Sequence, residues 1–131
     1  MRQRGPVGRR AMSGIAIYEE DQLMRALLQE WLSSAGYHIQ VAAPPEAAVP
    51  GKVDVAIVSI YMPKDAGAQL LQAIQAVHPR TPMIALSGQF RGGLSSVGTT
   101  ARSLGVARVI AKPLTRAALL GAVHAMIGPP T

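Results

Sequence analysis

Five side chains with reactive or charge-bearing groups stand at or just after the ends of short apolar runs: Glu19, Glu20, Ser59, Ser87 and Lys112. Two acids, two hydroxyls and a lysine form a polar set in a chain that is 49% apolar and only 15% charged. What such a set can do is limited by what is missing around it. A serine hydroxyl must lose its proton to attack, and it needs an adjacent general base. The three histidines, His38, His78 and His124, fall in a strand, at a helix end and in the last helix, away from the five, and they lack the spacing of metal ligands. Cysteine is absent, which excludes disulfides, thiolate metal sites and cysteine nucleophiles together. The glycine-rich stretch 88–98 is not followed by Gly-Lys-Ser/Thr, so it is no phosphate-cradling loop. No base or oxyanion motif accompanies the hydroxyls, and an enzyme is not expected.

The elements that position these residues follow from hydrophobic patterning. Ile15-Ala16-Ile17-Tyr18 is an apolar run ending in Glu19, Glu20 and Asp21. Leu23, Ala26, Leu27, Leu28, Trp31, Leu32 and Ala35 recur at helical spacing before Gly36, with Trp31 read as core. Residues 37–42 alternate like a strand, and 53–60 form the nearly continuous apolar run of a parallel strand buried on both faces. Leu70, Leu71, Ile74 and Val77 mark a helix ending near Pro79; 82–87 and 106–111 read as strands, and 114–127 as an amphipathic helix. Pro44, Pro45, Pro50 and Gly51 leave the second crossover little more than one turn, around 46–49. The composition of 88–100 predicts a mobile loop before a short helix at 100–104. Strand and helix alternating in this way favour a five-stranded parallel sheet with helices on both faces. Ligands of such sheets bind at the carboxyl ends of the strands, near the switch in strand order, and all five polar residues are expected at that edge.

The ordered pieces IAIYEED, VDVAIVSIYMP, IALSG and VIAKP make residues 14–128 resemble a response-regulator receiver domain of two-component signalling. The resemblance implies the flavodoxin-like three-layer sandwich. It also implies a set of roles: Glu19 and Glu20 as the acidic pair that holds Mg²⁺, Ser87 as the hydroxyl that senses a phosphoryl group, and Lys112 as the cation that pairs with it. In such receivers the residue three before the Met-Pro step is the aspartate that accepts phosphoryl from a histidine kinase; here it is Ser59. Neither Asp54, five residues earlier, nor Asp65, read as lying in the loop beyond Pro63, replaces it. An aspartate is ionised at neutral pH and a serine is not. The change also removes one of three carboxylates from the cation site, so no cofactor is required and two glutamates leave only weak Mg²⁺ binding. Val109 stands where receivers commonly carry the Tyr or Phe that moves inward on activation. Both departures imply a pseudo-receiver that does not switch.

The expected function is therefore a stand-alone module that works by protein–protein contact with a histidine kinase or another regulator. The first candidate face, including for homodimers, is the fourth helix, fifth strand and fifth helix of the receiver plan. The alternative is phosphorylation at an atypical residue such as Ser59. Plainer roles stand beside these: Glu19, Glu20 and Asp21 as favourable charge at a helix start, and Lys112 as an ion-pair partner of Glu19 or Glu20.

The net charge of +6 does not by itself imply nucleic acid. Arg2, Arg4, Arg9 and Arg10 belong to a basic tail, residues 1–13, without apolar periodicity and read as disordered; Met12 is a second candidate start. The tail lacks the apolar segment of a signal peptide. No apolar run approaches the roughly 20 residues of a membrane-spanning helix. A cytoplasmic domain is expected, and with four residues after Ile127, so is an output through another protein.

Overall fold

The computed structural model describes residues 14–48, 52–60, 64–87, 108–111 and 114–129. In chain order these form β1 (Gly14–Tyr18), α1 (Gln22–Ser34), β2 (His38–Ala43), a single 3-10 turn (Pro45–Ala47), β3 (Val55–Ile60), α2 (Lys64–Val77), β4 (Met83–Ser87), β5 (Arg108–Ala111) and α3 (Arg116–Ile127). The strands make one sheet in the order β2-β1-β3-β4-β5, every pairing parallel. The strand order reverses between β1 and β3, the switch point that the sequence pattern calls for. The expected α/β fold, a flavodoxin-like sandwich of helices about a five-stranded parallel sheet, is the one found.

Strand alternation sorts the core into two layers. Ala16, Tyr18, Ala56, Val58, Ile60 and Ala85 pack with Leu71 and Ile74 of α2. Ile15, Ile17, Val55, Ile57, Ile84 and Leu86 pack on the other side with Leu28 and Leu32 of α1 and Leu119 and Val123 of α3. β1 and β3 are buried along their whole lengths. Burying a Leu or Ile side chain is worth about 1.5–3 kcal/mol, so these two strands anchor both layers. The helix ends are fixed by local chemistry. Asp21 caps the start of α1, and Thr115 caps α3 through the N–H of Ala118. α1 ends in a Schellman arrangement: Gly36 at φ 104 donates to the Ser33 carbonyl, and Tyr37 donates to that of Leu32.

Several boundaries differ from the sequence reading. β2 starts at His38, and its register against β1 slips between Ile15 and Ala16, leaving Gln40 as an extra residue whose side chain lies over Gly14. β3 starts at Val55, because Asp54 turns its N–H to the Gly14 carbonyl and its carboxylate to the Gly14 N–H. α2 begins at Lys64 rather than near Leu70, so Asp65 lies in its first turn and not in a loop. The short second crossover is as expected, but it is a 3-10 turn closed by Ala47 and Ala48 N–H bonds to Pro44 and Pro45. α3 is not amphipathic: its exposed positions include Ala117, Ala118, Gly121 and Ala125, leaving little contrast between its faces. Trp31 is half-buried, packed on the margin of the core and not within it. The loop and helix expected at 88–104 and the tail at 1–13 lie outside the described residues.

Tyr37 ties the fold together at its far end, donating to the Gly128 carbonyl across 91 residues of sequence at 2.8 Å. Burial raises the pKa of its phenol above the ordinary tyrosine value. A raised pKa means that the fold favours the neutral phenol. This stabilisation is complete below the unfolded value, near 10, and is lost as pH rises through the folded one. Chemical denaturation on either side of pH 10 is expected to show an alkaline loss of stability, and Tyr37→Phe to reduce it.

Candidate functional site

The carboxyl edge at the switch point is built by register. Tyr18 of β1 pairs with Val58 of β3, Ser59 with Leu86, Ile60 with Ser87, and Ser87 with Ala111. Glu19 continues β1 by one residue, its N–H donating to the Ala43 carbonyl at 3.0 Å. Glu19 and Ser59 therefore follow a directly paired couple on adjacent strands. Alternation puts both on the side of α1 and α3, with Ile15, Ile17, Val55 and Ile57. Both are buried, Glu19 at 0% and Ser59 at 2% exposure. Ser87 is the last residue of β4 rather than the first after it. Lys112 follows the end of β5 and lies outside the described residues, as does the Met-Pro step at 62–63. Val109 lies in β5 opposite Ala85, and its side chain is likewise outside the description.

The three acids after β1 divide into three environments. Glu19 turns inward, and its Oε2 accepts the Asp21 N–H at 3.0 Å. Glu20 is exposed. Asp21 is the N-cap of α1, its Oδ1 accepting from the N–H groups of Leu23 at 2.9 Å and Met24 at 3.1 Å. The plain helix-start role thus belongs to Asp21, not to the acidic run as a whole. Arg25, one turn into α1, donates from Nη1 to the Glu19 carbonyl at 2.7 Å, a charge-assisted bond that holds the β1–α1 corner.

The sequence reading missed Arg25, and it missed a second contact. Tyr18 and His78 are both buried, with Tyr18 Oη 2.8 Å from His78 Nε2. This joins the end of β1 to the end of α2. An apolar run gives no hint that its last member is a phenol in need of a partner, although buried Tyr hydroxyls generally find one.

Among the described residues the donor set at this edge offers one buried carboxylate already accepting a backbone N–H, one exposed carboxylate and a neutral hydroxyl. Among the described residues no group of three or more His, Asp or Glu stands close enough to hold a metal ion.

Comparisons with known proteins agree with this fold. The family model for the response regulator receiver domain matches residues 15–124. No curated protein matches. Among solved structures, the chain is similar to the chemotaxis protein CheY4 of Vibrio cholerae, at 20% identity and a TM-score of 0.69, over 88% of this chain and 98% of that one. It is similar to the receiver domain of a Francisella response regulator at 18% identity and a TM-score of 0.71, over 88% and 96%. The receiver domain of a Pseudomonas aeruginosa sensor histidine kinase, which has a magnesium ion coordinated in its active-site cleft, matches at 22% identity and a TM-score of 0.65, over 89% and 98%. At these identities the structures share the fold.

The division of labour among the acids can be tested on stability. Asp21→Ala is expected to cost about 1 kcal/mol by loss of the cap, and Glu20→Ala to stay within about 0.5 kcal/mol of the parent. Urea denaturation of the two variants side by side measures both.

Proposed function

This chain belongs to the response-regulator receiver domain family, and on that footing we propose that it is a phosphorylation-independent receiver-like module of two-component signalling that acts by binding another protein. The observation that carries this reading is Ser59. The position that receivers give to an ionised aspartate holds a neutral hydroxyl here, 2% exposed within β3. Phosphotransfer from a phosphohistidine needs a nucleophile that is ionised and reachable, and a buried serine is neither. No histidine serves as a base for it in this reading: His78 is engaged with Tyr18, and His38 and His124 are exposed.

The remaining assignments follow the same logic. Residues 14–128 are the working domain and 1–13 a basic tail. Glu19 and Glu20 support at most weak Mg²⁺ binding, because Mg²⁺ held by so few carboxylates relies on waters and on substrate phosphates. Ser87 and Lys112 occupy the sensing and pairing positions without a phosphoryl group to serve, and Val109 leaves no ring to relocate. The module acts in the cytoplasm on a histidine kinase or another regulator, with α3, β5 and the segment at 100–104 as the first candidate face, including for self-association. Among the described residues no helix is long and apolar enough to cross a membrane. No reaction of its own is assigned to it.

Incubation with acetyl phosphate and Mg²⁺, followed by intact mass, is expected to leave the mass unchanged, and beryllofluoride with Mg²⁺ to leave the amide spectrum near Ser59 and Ser87 unshifted. A gain of about 80 Da mapped to Ser59, the mark of one phosphoryl group, would overturn the reading in favour of an atypical phosphoacceptor. Ser59→Asp is expected to be less stable than the parent, because it buries a carboxylate. Mg²⁺-dependent phosphorylation of that variant would show that the other positions still work.

A further inference from the structure

Arg25 is a cation at the wrong end of its helix. It closes the first turn of α1, its backbone N–H donating to the carbonyl of the Asp21 cap at 2.9 Å. A helix start carries the positive end of the macrodipole and disfavours a cation. No acidic residue lies in the first turn of α1 to offset one. The guanidinium nevertheless does not turn to water. The residue is half-buried, and Nη1 reaches back to the Glu19 carbonyl at 2.7 Å. Giving up hydration at such a place calls for anionic surroundings, and the corner supplies them: Glu19, Glu20 and Asp21 follow one another between β1 and α1. Glu19 is fixed there at several points. Its N–H donates to the Ala43 carbonyl, its own carbonyl takes the Arg25 bond, and its Oε2 accepts the Asp21 N–H at 3.0 Å. The residue is 0% exposed. Mg²⁺ dehydrates reluctantly and keeps several waters, so Glu19 would have to come out of the corner to serve such an ion. That movement carries its charge away from the guanidinium.

We propose that Arg25 is a positioning residue that keeps the acidic edge closed to divalent cations: its guanidinium is the fixed cation of the β1–α1 corner and holds Glu19 inward. Two effects oppose an incoming ion. Glu19 loses the Asp21 N–H bond on leaving, and a divalent charge brought to this edge is repelled by a guanidinium tied to the same residue's backbone. The role deepens the reading above and rests on it in one respect, the lack of a carboxylate at position 59. With Asp21 engaged as the helix cap and Glu20 in water, Glu19 is the acid left for one guanidinium to hold. A merely structural clasp would affect stability alone; the role proposed here also sets an affinity.

Mn²⁺, which favours the same oxygen ligands as Mg²⁺, is the probe, its free fraction read by electron paramagnetic resonance as the full chain is titrated. The parent is expected to bind it weakly. Arg25→Gln keeps an N–H donor for the Glu19 carbonyl but not the charge, and is expected to tighten binding about tenfold, a modest share of the repulsion between a unit and a divalent charge a few ångströms apart. Arg25→Lys restores the charge and is expected to stay within about twofold of the parent. So is Arg80→Ala, which removes a charge from an exposed residue before β4, at the opposite edge. Glu20→Gln added to R25Q is expected to abolish the gain. Unchanged or weaker binding by R25Q would overturn the proposal, as would equal gains in R25Q and R25K, equal gains in R25Q and R80A, or a gain that survives E20Q. Circular dichroism checks that each variant remains folded. Nitrogen-15 spectra of the parent give a test without any variant: a Mg²⁺ titration that shifts the Glu20 amide is expected to shift the Arg25 guanidinium with it, and a Glu20 shift alone would sink the coupling. The titrations contain no phosphodonor, so phosphorylation at Ser59 and an unaltered R25Q affinity each defeat one reading alone.

Discussion

Two-sided burial of β1 and β3 is the constraint on which the rest depends. A strand covered by helices on both faces can place polar side chains only at its ends, because a buried polar group without a partner costs free energy. Ile15, Ala16, Ile17 and Tyr18, and Val55 through Val58, are at 0% exposure. Chemistry is thereby pushed to the residues after them, Glu19 and Ser59. The same constraint fixes chain direction. Short, right-handed crossovers make the strands parallel, so every carboxyl end collects at one edge and every amino end at the other. The site at the switch point is a consequence of that one geometry.

The constraint is harder to satisfy where the second crossover is only a 3-10 turn. A single turn covers less of the sheet than a helix of several turns would, yet Ala16 and Tyr18 beneath that side remain fully buried. Pro45 is buried, Ala48 packs on this layer, and the large Tyr18 ring fills it from within, its hydroxyl meeting His78. A phenol and an imidazole are bulky enough to close space and polar enough to bond each other, and with Leu71 and Ile74 of α2 they help to keep the layer shut beside the short crossover. β2 records the remaining deficit. His38 and Gln40 are exposed, and no residue of this edge strand is fully buried.

The fold was legible in the sequence for a physical reason: apolar runs of strand length, each followed by helical periodicity, permit few arrangements. The edge residues Glu19, Glu20, Ser59 and Ser87 could be placed because parallel strands put their ends together whatever the loops do. Finer assignments failed where tertiary contacts override local pattern. α2 starts six residues before its first apolar marker, since its first turns carry Asp65, Gly67 and Gln69 and show no stripe. α3 looked amphipathic because Leu119 and Val123 recur properly, while the exposed positions are mostly alanine and glycine, with Arg116 and His124, and spacing alone does not distinguish such small residues from core. That Asp21 caps, Glu19 turns inward and Glu20 faces water is written in no pattern of three consecutive acids; it is decided by where β1 ends and α1 begins.

On the function proposed above, a serine at position 59 bears on more than the nucleophile. Like charges about 4 Å apart at a protein surface repel by roughly 4 kcal/mol at an effective dielectric near 20. A third carboxylate beside Glu19 and Glu20 would therefore call for a cation to hold the edge together, and would keep that edge hydrated and open to one. A serine adds no charge and removes that demand. Glu19 folds back onto the Asp21 N–H while Arg25 clasps its carbonyl, which closes the corner between β1 and α1 and leaves Glu20 exposed. On the function proposed above, one residue accounts both for the missing acceptor and for a weaker demand for a metal. A signal carried by such an edge would then lie in the surfaces it presents.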